Sequence, residues 1–223
     1  MLLRPFALAL ALTCTAVSLP LSAQKAARRL VRAGEVFHEI MGTPDRAIPH
    51  ALLQRAQCIA IIPGVKRVGL GFGGDFGRGV VTCRNRRSWS APLFLTLGGG
   101  SFGLQMGAQQ TDLVLLILNE EGENYLLKDK FQLGGDMAAT AGPVGREADA
   151  STDVLLHAKM LAYSRSKGLF GGITLKGGVI KQDSDSNQQY YGSKTPREIL
   201  HGGARTPAAA HALLNEIYRA VGH

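Results

Sequence analysis

Two glycine-spaced stretches raise the question of chemistry in this chain. Gly69 to Gly74 reads GLGFGG and satisfies G-x-G-x-x-G. That spacing lets a strand, a tight turn and a helix bring backbone N–H groups up to a pyrophosphate. Gly98, Gly100 and Gly103 satisfy it again, and the same run matches around Ser101 the G-x-S-x-G of a hydrolase nucleophile elbow. With 28 glycines in 223 residues, such matches arise by chance, so each needs its structural context. DFGRGVVTCR follows the first motif and alternates like a strand, leaving no helix to receive phosphate. FGLQMG continues past Ser101 in the same way, and the later histidines His157, His201 and His211 fall on an expected helix and in the tail. Ser101 is therefore expected to be an ordinary hydroxyl in a sheet turn, with a serine hydrolase as the weaker alternative.

Metal chemistry finds no better support. The histidines form no short-range cluster, and neither HExxH nor CxxC is present. DSDSN (183–187) lacks the central glycine and terminal glutamate of a calcium loop. Convergence of Asp112, Asp136, Asp149 and Asp153 is less expected than ordinary cap and strand-end positions. No cofactor, metal or catalytic residue is expected, and the protein is read as a non-enzyme.

Charge points to binding instead. Lys and Arg number 25 against 17 acids, a net +8, which favours an anionic partner and says nothing about fold. The clusters are Lys25, Arg28, Arg29 and Arg32; Lys66 and Arg67; Arg84; Arg86 and Arg87; and Arg165 with Lys167. Each near-surface cation contributes about 1 kcal/mol against an anionic bilayer, so three or four coplanar ones give salt-sensitive attachment. Simple solubility charge is the competing reading.

The first 23 residues carry one positive charge, an apolar run from Pro5 to Val17 and small residues up to Ala23, the pattern of a secretory signal peptide. Residues 24–223 are then expected to form a single domain of net charge +7, exported across the inner membrane to the periplasm. Cys14 offers a lipid-anchored alternative, against which Ala11-Leu12-Thr13 is a poor lipobox. Export argues against nucleic acid and leaves an anionic phospholipid membrane surface as the expected partner, with envelope proteins as the rival. Cys58 and Cys83 remain after cleavage, and either one disulfide or two buried thiols fits them.

The elements that position these groups are read from periodicity. Residues 26–41 place Ala26, Leu30, Ala33, Phe37 and Met41 on one helical side, with basic residues crowding the first turns. Such a helix is either a surface helix or an amphipathic one that lies on an anionic interface, with Glu35 and Glu39 diluting the latter. A short helix follows Pro49, then strands divided by glycine, of which TDLVLLILN is buried on both faces. Glu121-Gly122 reads as a turn, 125–145 as strand-like, 152–166 as a helix, and KQDSDSNQQ as a polar surface excursion. Thr195-Pro196 with Glu198 and Thr206-Pro207 mark two helix starts. The fold class is α+β: a strongly curled, glycine-rich antiparallel sheet flanked by N-terminal and C-terminal helices.

The blocks LLQRAQCIAIIPGVKRVG, GLGFGGDFGRGVV, SWSAPLFLTLGGGSFGLQMGAQQTDLVLLILN, LGGDMAATAGPVGR, AYSRSKGLFGGITLKGGVI and YYG before PREIL resemble the SYLF-domain family of lipid-binding proteins, over residues 28 to 218. The resemblance implies binding of an anionic membrane lipid without catalysis. It places the family's basic amphipathic N-terminus at Lys25, Arg28, Arg29 and Arg32. Some eukaryotic members bind actin filaments; for an exported single domain, actin is not expected as a partner.

Overall fold

The computed structural model describes residues 21–43, 47–70, 72–86, 88–102, 107–144, 158–166, 169–172, 175 and 177–222. The chain opens with helix α1 (Leu21–Met41) and the short α2 (His50–Arg55). Two long strands, β1 (Cys58–Leu70) and β2 (Phe72–Asn85), make a hairpin; β3 (Ser88–Trp89) pairs back on β2. Strands β4 (Leu93–Phe102) and β5 (Gly107–Ile117) follow, then helix α3 (Glu120–Leu126) and the short strands β6 (Lys130–Gln132) and β7 (Ala139–Ala141). Strands β8 (Met160–Ser166), β9 (Leu169–Gly172) and β10 (Gly178–Gln182) complete the sheet. Helices α4 (Ser184–Tyr191), α5 (Pro196–Leu200) and α6 (His211–Val221) close the chain.

All ten strands belong to one network, ordered β6-β10-β4-β2-β1-β5-β8-β7, with β3 on β2 and β9 on β8. The fold is α+β as the pattern predicts. Among the described strands, pairings are antiparallel except β7 with β8, which is parallel, as is the isolated bridge between Leu133 and Met137. Curling has a local cause. The β1 register shifts on both sides at Pro63-Gly64, where Gly64 takes φ +58° and donates its N–H to Asp112 Oδ1 at 2.8 Å. Beside that bulge, a Cβ on Gly79 would stand 2.4 Å from the Ile61 carbonyl oxygen, so only glycine lets β1 fold so closely over β2.

The sheet has two halves. At one end, Cys58–Ile62, Gly79–Cys83, Leu93–Leu95, Leu113–Ile117 and Met160–Tyr163 are buried on both faces. α1 crosses one face there and buries Ala26, Leu30, Ala33, Val36, Phe37 and Ile40, with α6 packing on it through Leu213 and Ile217. At the other end the strands run on beyond the helices.

Several sequence expectations give way. MLAYSRS is a strand: its apolar run carries no helical period because β8 lies between β5 and β7 with both faces covered. Of the rest of the helix expected over 152–166, Ala158 and Lys159 are not helical and 152–157 lies outside the described residues. Glu121-Gly122 is inside helix α3, which Asn119 caps by accepting the Gly122 N–H. KQDSDSNQQ begins helix α4 with Asp183 as its cap. The Thr195–Glu198 capping box forms. Thr206 makes no cap; Pro207 precedes a 3-10 turn, Ala208–Ala210, that leads into α6.

Candidate functional site

Gly69, Gly74, Gly98 and Gly100 of the two glycine motifs sit in strands, and Gly71 and Gly103 lie outside the described residues. Gly69 pairs with Gly73 across the β1–β2 hairpin, so β2 stands where a phosphate-binding helix would have to begin. Ser101 lies within β4 opposite Gly73, rather than at a strand-to-helix elbow. His201 is engaged by Glu123 at 3.6 Å, and His211 opens α6. His157, Asp149 and Asp153 lie outside the described residues.

Cys58 and Cys83 are directly paired residues of β1 and β2, with their sulfurs bonded at 2.07 Å, and both are fully buried. Among the described residues, the one cluster with metal-ligand geometry is Cys58, Cys83 and Glu123. Its two sulfurs hold each other and leave no thiolate for an ion. Asp112 is taken up by Gly64 and Arg165, and Asp136 by the Gln132 N–H.

The basic residues sort into those the fold consumes and those it leaves outward. Arg29 is a correction: it is buried, its Nη1 lies 2.9 Å from Asp183 Oδ2, and its guanidinium stands 5.3 Å over the Phe94 ring. Burial draws its pKa down, and the Asp183 carboxylate opposes that. Arg165 is a second correction, bonded to Asp112 at 2.6 Å and to Glu39 of α1. Burial works against its charge, and its bonds to the Asp112 and Glu39 carboxylates overcome it, raising the pKa. Arg84 caps α2 by donating to the Leu53, Gln54 and Ala56 carbonyls, and lies 4.8 Å over the Trp89 ring. These three arginines are tied into the protein itself.

The interfacial-helix expectation also fails in its strong form. The apolar side of α1 is the inner side of the core and is not available to a bilayer. Lys25 and Arg28 remain exposed on its outer side, while Arg32 pairs with Glu35 at 3.0 Å and reaches Glu39 at 3.8 Å. Arg86 is exposed in the turn after β2, ten residues along the chain from Phe76 and so roughly 30 Å from Lys66 across the strand pair. Arg67 is placed only as a β1 backbone position opposite Asp75. Arg87 and Lys167 lie outside the described residues. The predicted set is thus not one patch.

A different set is brought together. Directly paired residues project to the same face of a sheet. Arg78 pairs with Thr96, Thr96 with Lys181, and Lys181 with Lys130, giving one row across β2, β4, β10 and β6. The next row on that face is Gln110, Lys66, Phe76, Gly98, Val179 and Gln132. Val80 and Phe94, the row on the other side of Arg78, lie under α1 at Arg29. Arg78 is one row from Phe94, over which Arg29 stands, so the basic row runs at the edge of the helix.

Lys66, Arg78, Lys130 and Lys181 are all exposed, and among the described residues none makes an ion pair. Neighbouring strands lie about 4.8 Å apart, so Lys130 and Lys181 stand side by side as like charges, an arrangement that costs stability. Phe76, 65% exposed, lies in the middle of this face. Of the five, the sequence reading names Lys66. Arg78, Lys130 and Lys181 are isolated cations in the sequence, and register alone gathers them. The period-two alternation of Phe76-Gly77-Arg78 is the signal that could have found two of them. Among the described residues, no helix is long and apolar enough to cross a membrane.

Comparison with known proteins agrees with this picture of a binding domain. The family model Ysc84, described as "Las17-binding protein actin regulator", matches residues 98–220. Protein YSC84 of Saccharomyces cerevisiae is 34% identical over 86% of this chain and 41% of its own length. LAS seventeen-binding protein 3 of the same species is 33% identical over 88% of this chain and 43% of its own length. The human SH3 domain-containing YSC84-like protein 1 is 27% identical over 87% of this chain and 58% of its own length. The chain therefore spans about two fifths of the yeast relatives it matches. These names overturn the expectation that actin has no place among the partners, because the family is described by its part in actin regulation. The description is of binding and regulation rather than of a reaction. On the extent of these matches, the chain belongs to the Ysc84 family, the SYLF-domain proteins.

Proposed function

We propose that this protein is a non-catalytic binding domain that attaches peripherally to anionic membrane surfaces by positive charge. The observation that carries the reading is the set of exposed cations Lys66, Arg78, Lys130 and Lys181 on one face of the sheet, without an ion-pair partner among the described residues. Four cations at about 1 kcal/mol each give weak, reversible attachment that salt screens within a Debye length. The leader-like residues 1–23 support export, with the mature domain at the periplasmic side of the inner membrane. N-terminal sequencing of the exported protein tests that step, with Gln24 expected as the first residue.

Co-sedimentation with vesicles tests the lipid reading. Binding to phosphatidylglycerol-containing vesicles is expected to fall steeply between low and physiological salt, with little binding to phosphatidylcholine alone. Binding indifferent to both salt and lipid charge contradicts it.

The family description favours a second reading, in which an actin-associated protein is the anionic partner of the same face. Co-sedimentation with actin filaments in the absence of lipid separates the two. Filament binding that exceeds vesicle binding at matched ionic strength supports the second.

A further inference from the structure

We infer that the open half of the sheet, rather than helix α1, is the membrane-docking surface, and that Phe76 is its apolar anchor. The inference rests on the membrane reading above and adds the site and the orientation.

Helix α1 is already committed to the core. Its apolar side is fully occupied by the core, Arg29 is bound to Asp183, and Glu39 is bound to Arg165 on β8. Freeing the helix to lie on lipid would expose six buried apolar residues and break both ion pairs. Lys25 and Arg28 add positive charge at its outer side, where Val31, 45% exposed, is a smaller and non-aromatic apolar contact.

The sheet offers the larger and more exposed apolar group among its cations. Phe76 is a large aromatic side chain left 65% exposed, with a cation on two sides: Lys66 directly opposite on β1, and Arg78 two residues along β2. Its ring leans along the strand over Gly74. A Cβ on Gly74 would lie 2.9 Å from Phe76 Cε2, so the missing side chain is what makes room for the ring. On the other flank stands Gly98, where an added Cβ would meet nothing within 4 Å. The ring is therefore bordered by Arg78 on the α1 side, by Lys66 on the β1 flank, and by the glycines Gly98 and Gly74 on the β4 flank and along β2. Val179, half-buried in the same row, continues the apolar strip toward β6.

An anionic bilayer fits this layout in both of its terms. Headgroup phosphates meet Lys66, Arg78, Lys181 and Lys130, and the Phe76 ring enters the boundary between headgroups and acyl chains, where an apolar ring is favourable. A purely polar acidic partner would satisfy the cations and leave the ring in water.

The test reads Phe76 directly. In Phe76→Trp, the new indole is compared with the background of Trp89, which is buried in wild type. On phosphatidylglycerol vesicles its emission is expected to shift to the blue and to be quenched by brominated acyl chains. Phe76→Ser is expected to weaken vesicle binding about tenfold, with an unchanged unfolding midpoint because the side chain is exposed. Wild-type protein that co-sediments while Phe76→Trp emission stays unchanged overturns the docking surface and leaves the membrane reading standing. Wild-type protein that fails to co-sediment with anionic vesicles overturns the membrane reading itself. A blue shift on actin filaments with none on vesicles overturns the inference in favour of a protein occupant.

Discussion

Arg29 Nη1 meets Asp183 Oδ2 at 2.9 Å with both side chains nearly closed off from solvent, at 7% and 12% exposure. The contact joins the third turn of α1 to the cap of α4, 154 residues later in the chain. Its energetic meaning lies in what breaking it leaves behind. Arg29→Ala strands the Asp183 carboxylate in a low-dielectric site and is expected to cost about 3–5 kcal/mol. Urea unfolding measures that loss. Arg29→Met combined with Asp183→Ala is expected to recover much of it, since no charge is then left unpaired.

Acid should act on the same pair. Burial pushes the Asp183 pKa up, but the bonds from Arg29 and Ser186 outweigh it and hold the carboxyl below its ordinary range. A carboxyl depressed in the folded state contributes stability above its unfolded pKa of about 3.9, and loses it as pH falls through the lower folded value. Unfolding free energy is therefore expected to drop as pH is lowered below about 4, and Asp183→Asn should lack this component. An equal acid slope in wild type and variant contradicts the assignment.

The Cys58–Cys83 bond closes a loop with a sequence separation of 25. In the chain-entropy account a loop of that length contributes about 3–4 kcal/mol by restricting the unfolded chain. Cys58→Ala with Cys83→Ala is expected to lower the unfolding free energy by that order. A reductant should lower the wild-type melting temperature and leave the double variant unmoved.

Asn187 carries a buried polar link between α4 and the sheet. Its Oδ1 accepts the Phe94 N–H at 2.8 Å and its Nδ2 donates to the Phe94 carbonyl at 2.9 Å, continuing the β4 ladder beyond Gln182. Asp183 N–H also donates to that carbonyl, so Asn187→Ala orphans chiefly the Phe94 N–H. A loss of about 1–3 kcal/mol follows, and faster hydrogen exchange at Phe94 would report it at the site.

How much of this was legible in the residues depends on the kind of signal. TDLVLLILN announced a strand buried on both faces because β5 pairs with β1 and β8 and packs on both sides. Thr195 and Glu198 announced their helix because capping is local chemistry. MLAYSRS misled because burial on all sides erases both periods. DSDSN misled because a helix as polar as α4 shows its start through Asp183 and Ser186 rather than through an apolar stripe. The site was the least legible part. Clusters such as Lys66-Arg67 are visible as runs, but adjacent strand residues face opposite ways, and coplanarity is set by register. Arg78, Lys181 and Lys130 lie up to 103 residues apart and meet in one row only through β4 and β10. Arg29 shows the converse, a cation inside a basic run that the fold draws inward.

The most direct test of the account sets two charge variants against each other on the same anionic vesicles. One removes Lys66, Arg78, Lys130 and Lys181 from the sheet, each to Gln; the other removes Lys25, Arg28 and Arg32 from α1, each to Gln. At about 1 kcal/mol per cation, the sheet variant is expected to lose nearly all co-sedimentation and its salt dependence, while the α1 variant keeps most of both. Loss of binding in the α1 variant with retention in the sheet variant would contradict the account.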